Sequence, residues 1–142
     1  LAKHPNIVAI KEASGNISQI AELLAIAGDE IDVYSGNDYQ IVPILSLGGK
    51  GVISVLSNVL PKETHDICSL FFEGKIKESL ELQLKYLELI NSLFCDVNPI
   101  PVKAAMSAMG FCEDYLRLPL TSMEPQNEEK LFALMREQGI ID

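Results

Sequence analysis

The feature that most narrows the fold is a recurring unit: a short apolar run, a turn of small residues, then a stripe at helical spacing. It occurs first at Ile7-Val8-Ala9-Ile10-Lys11, followed at once by Glu12-Ala13-Ser14-Gly15-Asn16. In an extended strand, Ile7, Ala9 and Lys11 share one face while Val8 and Ile10 share the other. Both faces are apolar, the pattern of a strand covered on both sides in a parallel sheet. Asn16 suits a helix N-cap, Gln19 completes a capping-box pattern, and Ile17, Ile20, Ala21, Leu23, Leu24 and Ala27 form the stripe that Gly28 stops. The unit recurs as Ile31-Asp32-Val33-Tyr34-Ser35, where Gly36-Asn37-Asp38 makes the turn and Asp38 is expected to cap a short helix from Tyr39 to Leu47. Gly48-Gly49 ends that helix, and Gly51-Val52-Ile53-Ser54-Val55 reads as a third strand. Alternation of this kind implies right-handed βαβ units and a parallel sheet.

The pattern changes after Asn58. Pro61 suits the start of a helix and Gly74 its end. Ile76 to Phe94 reads as one longer helix, and Pro99 and Pro101 interrupt the stretch beyond it. Val102 to Met109 is expected to be helical, Leu116-Arg117-Leu118-Pro119 extended, and a last helix runs from Asn127 to near Gly139. The expected organisation is a partial (β/α) barrel over residues 1–74 and a C-terminal helical region over 75–142. The start, Leu1-Ala2-Lys3-His4-Pro5-Asn6, leads straight into a strand, as a cut through a larger protein would, and it does not read as a signal peptide.

Composition removes several function classes. At 142 residues the chain is long enough for one core, and a hydrophobic share of 48% is ordinary for a globular protein. A net charge of -9 argues against nucleic acid and against an anionic membrane surface as partners. No apolar run approaches the roughly 20 residues of a membrane span. Cys68, Cys95 and Cys112 are odd in number, widely spaced and without a CxxC, which fits a reduced, cytoplasmic protein without metal or disulfide chemistry. Cys68 reads as a packed core thiol, and His4 and His65 sit in polar company with low standing as catalysts.

Lys11 stands at the carboxyl end of a strand, where α/β folds place their chemistry. A desolvated lysine loses its proton and attacks a ketone to form a Schiff base. A lysine there can equally cap the strand and snorkel to water, and residue type and position alone favour that second reading. Gly36, Gly48, Gly49 and Gly51 are open to a similar choice. A phosphate cradle is one option, but without a P-loop signature, helix termination and close packing explain them better. Lys50 and Lys103 end no buried strand and read as solvated or structural.

Ile10-Lys11-Glu12-Ala13-Ser14-Gly15-Asn16 resembles the lysine-bearing strand of the dihydrodipicolinate synthase family, class I pyruvate-dependent aldolases on a (β/α)8 barrel. Ser35-Gly36-Asn37-Asp38, Gly48-Gly49-Lys50-Gly51-Val52-Ile53-Ser54 and Asn98-Pro99-Ile100-Pro101-Val102-Lys103 resemble three further family segments in the family's order. The resemblance covers essentially the whole chain and implies the C-terminal half of the barrel, with its last strands and the helices after them. It implies that Lys11 is the Schiff-base amine, that backbone groups of Gly36 and Ile53 line the pocket beside lysine-bound pyruvate, and that Asn37 sits at the mouth. It implies condensation of pyruvate with L-aspartate 4-semialdehyde, on the diaminopimelate route to lysine, in a cytoplasmic homotetramer that uses neither metal nor organic cofactor. The family's relay tyrosine, threonine pair and carboxylate-binding arginine match nothing here. An inactive fragment or a half-barrel assembly module therefore stands as one alternative, in need of its missing N-terminal half. Another pyruvate-dependent aldolase of the same family stands as a second.

Overall fold

The computed structural model describes all 142 residues. One sheet holds three strands in the order β1 (Ala9–Glu12), β2 (Asp32–Ser35), β3 (Gly51–Val52). Both pairings are parallel, with Lys11 opposite Tyr34 and Tyr34 opposite Gly51. Side chains alternate along each strand, so Lys11, Tyr34 and Gly51 share one face while Glu12, Ser35 and Val52 share the other. The crossovers are α1 (Ile17–Ala27) and, after a 3-10 turn at Asp38–Gln40, α2 (Ile41–Ser46). They cover the second face only, and there Val33 and Ser35 are buried. This is an α/β arrangement of three βα units, part of a (β/α)8 barrel, followed by helices.

The expectation that β1 is covered on both faces does not hold. Ile10 is half-buried, Ala9 and Lys11 are exposed, and Val8 keeps 71% of its surface. Ala9 and Lys11 lie on the face that no helix covers, and Val8 and Ile10, on the helix side, stay open because β1 is an edge strand paired with β2 alone. In a closed barrel, side chains from all eight strands fill the space over the uncovered face. The third strand is also shorter than Gly51 to Val55. Its pairing stops at Val52, and a 3-10 turn forms at Leu56–Asn58 because the amides of Val55 and Leu56 go to a side chain instead of a ladder. The capping box on α1 is half formed. Asn16 Oδ1 accepts from Gln19 N at 3.2 Å, but Asn16 N donates to Ser14 Oγ at 3.1 Å, so the Gln19 side chain is free to turn elsewhere.

The helical region comprises α3 (Pro61–Phe72), α4 (Ile76–Lys85), α5 (Leu87–Leu93), α6 (Ile100–Ala108) and α7 (Pro125–Glu137). The single helix expected from Ile76 to Phe94 is two, broken at Tyr86 with φ −97° and ψ 8°. The two parts serve different neighbours. From α4, Ser79 Oγ donates to the Ile67 carbonyl of α3 at 2.6 Å and Gln83 reaches the start of α2, while Leu80 and Leu84 face outward. Leu89, Ile90 and Leu93 of α5 instead enter the main core with Ala105, Leu131 and Met135. One straight helix cannot turn its apolar stripe both ways. Leu56 and Val59, just past β3, belong to that same core, which fastens the strand exits to the helices. The three cysteines are free, and no helix is long and apolar enough to cross a membrane.

Candidate active site at the carboxyl ends of the strands

The three parallel strands bring their carboxyl ends to one side of the sheet, and backbone hydrogen bonds step across it. Gly36 N donates to the Glu12 carbonyl at 2.7 Å, and Ile53 N donates to the Ser35 carbonyl at 2.8 Å. Lys11, Gly36 and Ile53 are thereby set on consecutive strand exits. The Lys11 arm runs over Gly36: a methyl group added there would lie 2.9 Å from Lys11 Cε and 2.6 Å from Ala13 Cβ. Only glycine leaves that passage open. Ile53 lies two residues beyond Gly51 and is 49% exposed. The carbonyls of Gly36 and Ile53 accept no hydrogen bond within the chain and are free to meet a ligand.

Glu12 points away from Lys11, to the helix side, and is only 7% exposed. Its carboxylate accepts from Ser14 N at 2.6 Å and from Gln19 Nε2 at 3.4 Å. The hydrogen bonds from Ser14 hold its carboxyl below the usual glutamate range against the opposing effect of burial. The turn that these bonds define passes through Gly15 at φ 75°, a conformation that glycine adopts at no steric cost. Gln40 ties this turn to the next one by donating to the Gly15 carbonyl at 3.0 Å. Asn37 is buried, and its amide donates to Gln40 Oε1 at 3.3 Å. Ser35 Oγ closes the same turn, donating to the Asn37 carbonyl at 2.8 Å and accepting from Asn37 N at 3.2 Å.

Asp38 does not cap the helix after it. Its side chain is fully buried, and Oδ2 accepts from Val55 N at 2.9 Å and Leu56 N at 3.0 Å, across to the β3 exit. The start of α2 has no capping side chain of its own turn; Gln83 Oε1 supplies the acceptor for Val42 N at 2.8 Å. Burial pushes the Asp38 carboxyl up, while the amides of Leu56 and Val55 and the charge of Lys11 draw it back down. Sequence reasoning missed the roles of Glu12, Gln40 and this carboxylate. For Glu12 a signal existed: a charge at a helix-facing position of a strand needs partners. For Asp38 there was none, because its partners lie 17 and 18 residues away.

The other candidates stay apart from this group. Lys50 and His4 are exposed, Lys103 lies on α6, and His65 pairs loosely with its neighbour Asp66 at 3.4 Å. Burial and the charge of Asp38 push the Cys68 thiol up, which disfavours a reactive thiolate. No cavity encloses Lys11. The largest, about 540 Å³, is lined by Ala108, Phe132, Arg136 and the C-terminal residues. A cavity of about 330 Å³ borders the free edge of β3 at Tyr34, Gly51, Val52 and Ser54. Lys11 therefore stands on an open face, with Gly36 beneath its arm and no wall opposite.

Comparison with known proteins gives this geometry its context. The family model described as the dihydrodipicolinate synthetase family matches residues 1–138. The 4-hydroxy-tetrahydrodipicolinate synthase of Clostridium perfringens (strain SM101 / Type A) is 57% identical over 141 residues, covering 99% of this chain and 48% of that protein. The crystal structure of dihydrodipicolinate synthase from Thermotoga maritima superposes with a TM-score of 0.94 at 41% identity, over 99% of this chain and 48% of that one. The chloride-inhibited dihydrodipicolinate synthase from Acinetobacter baumannii, solved in complex with pyruvate, gives 0.93 at 38% identity over the same shares. The chain spans about half the length of the curated relatives it matches.

Proposed function

We propose that this chain, which belongs to the dihydrodipicolinate synthetase family, carries the Schiff-base part of a pyruvate-dependent aldolase site, with Lys11 as the nucleophile. The observation that carries the reading is the Lys11 arm passing over Gly36 at the shared carboxyl end of the strands. The neutral amine adds to the C2 ketone of pyruvate, and loss of water leaves a protonated imine. The imine acidifies the methyl group, and removal of a proton there gives an enamine. The enamine carbon attacks the aldehyde of L-aspartate 4-semialdehyde, forming the new C–C bond. Attack of that substrate's amino group on the imine carbon closes the ring and frees Lys11. The carbonyls of Gly36 and Ile53 are placed beside the bound pyruvate, and Asn37 stands at the entrance. No metal or organic cofactor enters, since the imine itself is the electron sink.

The complete protein, in this reading, is a cytoplasmic homotetramer on the diaminopimelate route to lysine, with pyruvate and L-aspartate 4-semialdehyde as its substrates. Borohydride reduction of the full-length protein with pyruvate tests the assignment. Reductive mass gain at Lys11 is expected; gain at Lys50 or Lys103 with Lys11 unmodified overturns it. Turnover of pyruvate with a panel of aldehydes, measured without borohydride, separates this substrate pair from those of a sister aldolase. The half-length match favours a second reading for the chain alone, as an inactive half-barrel module that needs its complement.

A further inference from the structure

We propose that Asp38 is a positioning residue: it locks the exit of β3 to the exit of β2 and so fixes where the Ile53 backbone stands on the edge of the sheet that also carries Lys11. The inference rests on the aldolase reading above for its effect on pyruvate, and on geometry alone for the lock.

Asp38 joins two turns that no ladder joins. Strand pairing ends at Ser35 and Val52. Past that point one backbone bond, Ile53 N to the Ser35 carbonyl at 2.8 Å, and the two bonds to Asp38 Oδ2 hold the β3 exit in place. Those two bonds fall on Val55 and Leu56, immediately after Ile53 and Ser54, so the segment 53–54 is pinned at both ends. Ser54 is pinned locally as well, its Oγ accepting from Ser57 N at 2.8 Å. A carboxylate that accepts from two amides makes charge-assisted bonds, roughly twice as strong as neutral ones.

The second oxygen shows that stability alone does not account for this residue. Oδ1 is buried and has no hydrogen-bond partner. An unpaired buried carboxylate oxygen costs stability where it sits. An amide would keep the acceptor for both N–H groups but set an unpaired donor where Oδ1 sits. What the two bonds add is stiffness at one spot, the exit that carries Ile53. A misplacement of about 1 Å in such a group is enough for a large loss in rate or binding.

The test uses the full-length protein with Asp38→Ala and Asp38→Asn, read by borohydride trapping against pyruvate concentration and by hydrogen exchange. Asp38→Ala should raise the half-saturating pyruvate concentration about tenfold. Asp38→Asn, whose amide oxygen still accepts from both N–H groups, should recover most of that loss. Exchange at the Val55 and Leu56 amides should quicken in Asp38→Ala and return towards wild type in Asp38→Asn. If Asp38→Ala does not fold, Asp38→Asn decides, with an expected rise of about threefold; an unchanged value overturns the proposal. Half-saturation within twofold of wild type in a folded Asp38→Ala also overturns it, whatever happens to the melting temperature. If the wild-type protein is not labelled at Lys11, the aldolase reading fails by itself. The lock then stands or falls on exchange at Val55 and Leu56.

Discussion

The sheet face that carries Lys11 and the core around Ile90 and Leu131 are built to opposite specifications. In the core, α5, α6 and α7 surround side chains with no remaining exposure, and the apolar stripes of all three helices meet. On the sheet, Ala9, Lys11 and Ile53 stand in the open although Glu12, Val33 and Ser35 on the reverse face are buried. The helical region supplies its own walls. The open face has a floor and lacks the rest, which matches a chain about half the length of its relatives. On the aldolase reading, the nucleophile stands on a face for which this chain supplies no opposite wall.

The sharpest test of that contrast is Lys11→Ala in the full-length protein. Turnover should fall by on the order of 10⁴-fold or more, as for loss of a covalent nucleophile. In the isolated chain, where the side chain is exposed, urea denaturation of the same variant should barely move; a large destabilisation there would mean that Lys11 is structural. Next in size is the chain by itself. In a coupled condensation assay it should run about 10²–10⁴-fold below the complete protein for each acid–base group it lacks. Activity should return on mixing with the complementary half, and near-full turnover from this chain alone would break the comparison.

Stability probes separate the two regions directly. Leu131→Ala, at a position with no exposure, should cost about 2–5 kcal/mol by urea unfolding. Ala9→Ser, on the open face, should fall within about 0.5 kcal/mol of wild type in the isolated chain. In the complete protein the same change should cost more, because the face is then covered. The smallest effect concerns pH. Glu12 has its folded pKa lowered, so its contribution is present above the unfolded value and lost as pH falls through the folded one. Glu12→Gln should remove about 1 kcal/mol at neutral pH and flatten the acid side of the stability profile. Asp38 has its folded pKa raised, so its contribution has the opposite sign: present at low pH and lost as pH rises through the folded value. Asp38→Asn should therefore steepen the acid loss that Glu12→Gln flattens, as measured by melting temperature against pH.

Much of this arrangement was legible in the residues. The alternation of apolar runs and helical stripes gave three parallel strands in chain order. Lys11, Gly36 and Ile53 came to adjacent strand exits because a parallel sheet brings all its carboxyl ends together. Local pattern could not carry anything settled at a distance. The break at Tyr86 arises from the different neighbours of α4 and α5, and an unbroken run of helix formers hides it. Asp38 beside a helix start reads as a cap until its partners at Val55 and Leu56 are known. The exposure of β1 was likewise invisible, because apolar alternation records what a strand is made to be buried against and not whether it is present.

Gln83 has a consequence of another kind. Its side chain accepts from Val42 N at 2.8 Å and donates to the Tyr39 carbonyl at 3.2 Å, closing the start of α2 from 41 and 44 residues downstream. Synthesis proceeds from the amino end, so α2 leaves the ribosome well before the residue that completes it. Until α4 has emerged and docked, the Val42 amide of that helix depends on water, and the turn that sets Asp38 and Asn37 lacks its final tether. Long-range closures of this sort slow folding in proportion to the chain they must gather. The turn between β2 and α2 is therefore finished only after α4, more than 40 residues downstream, has docked.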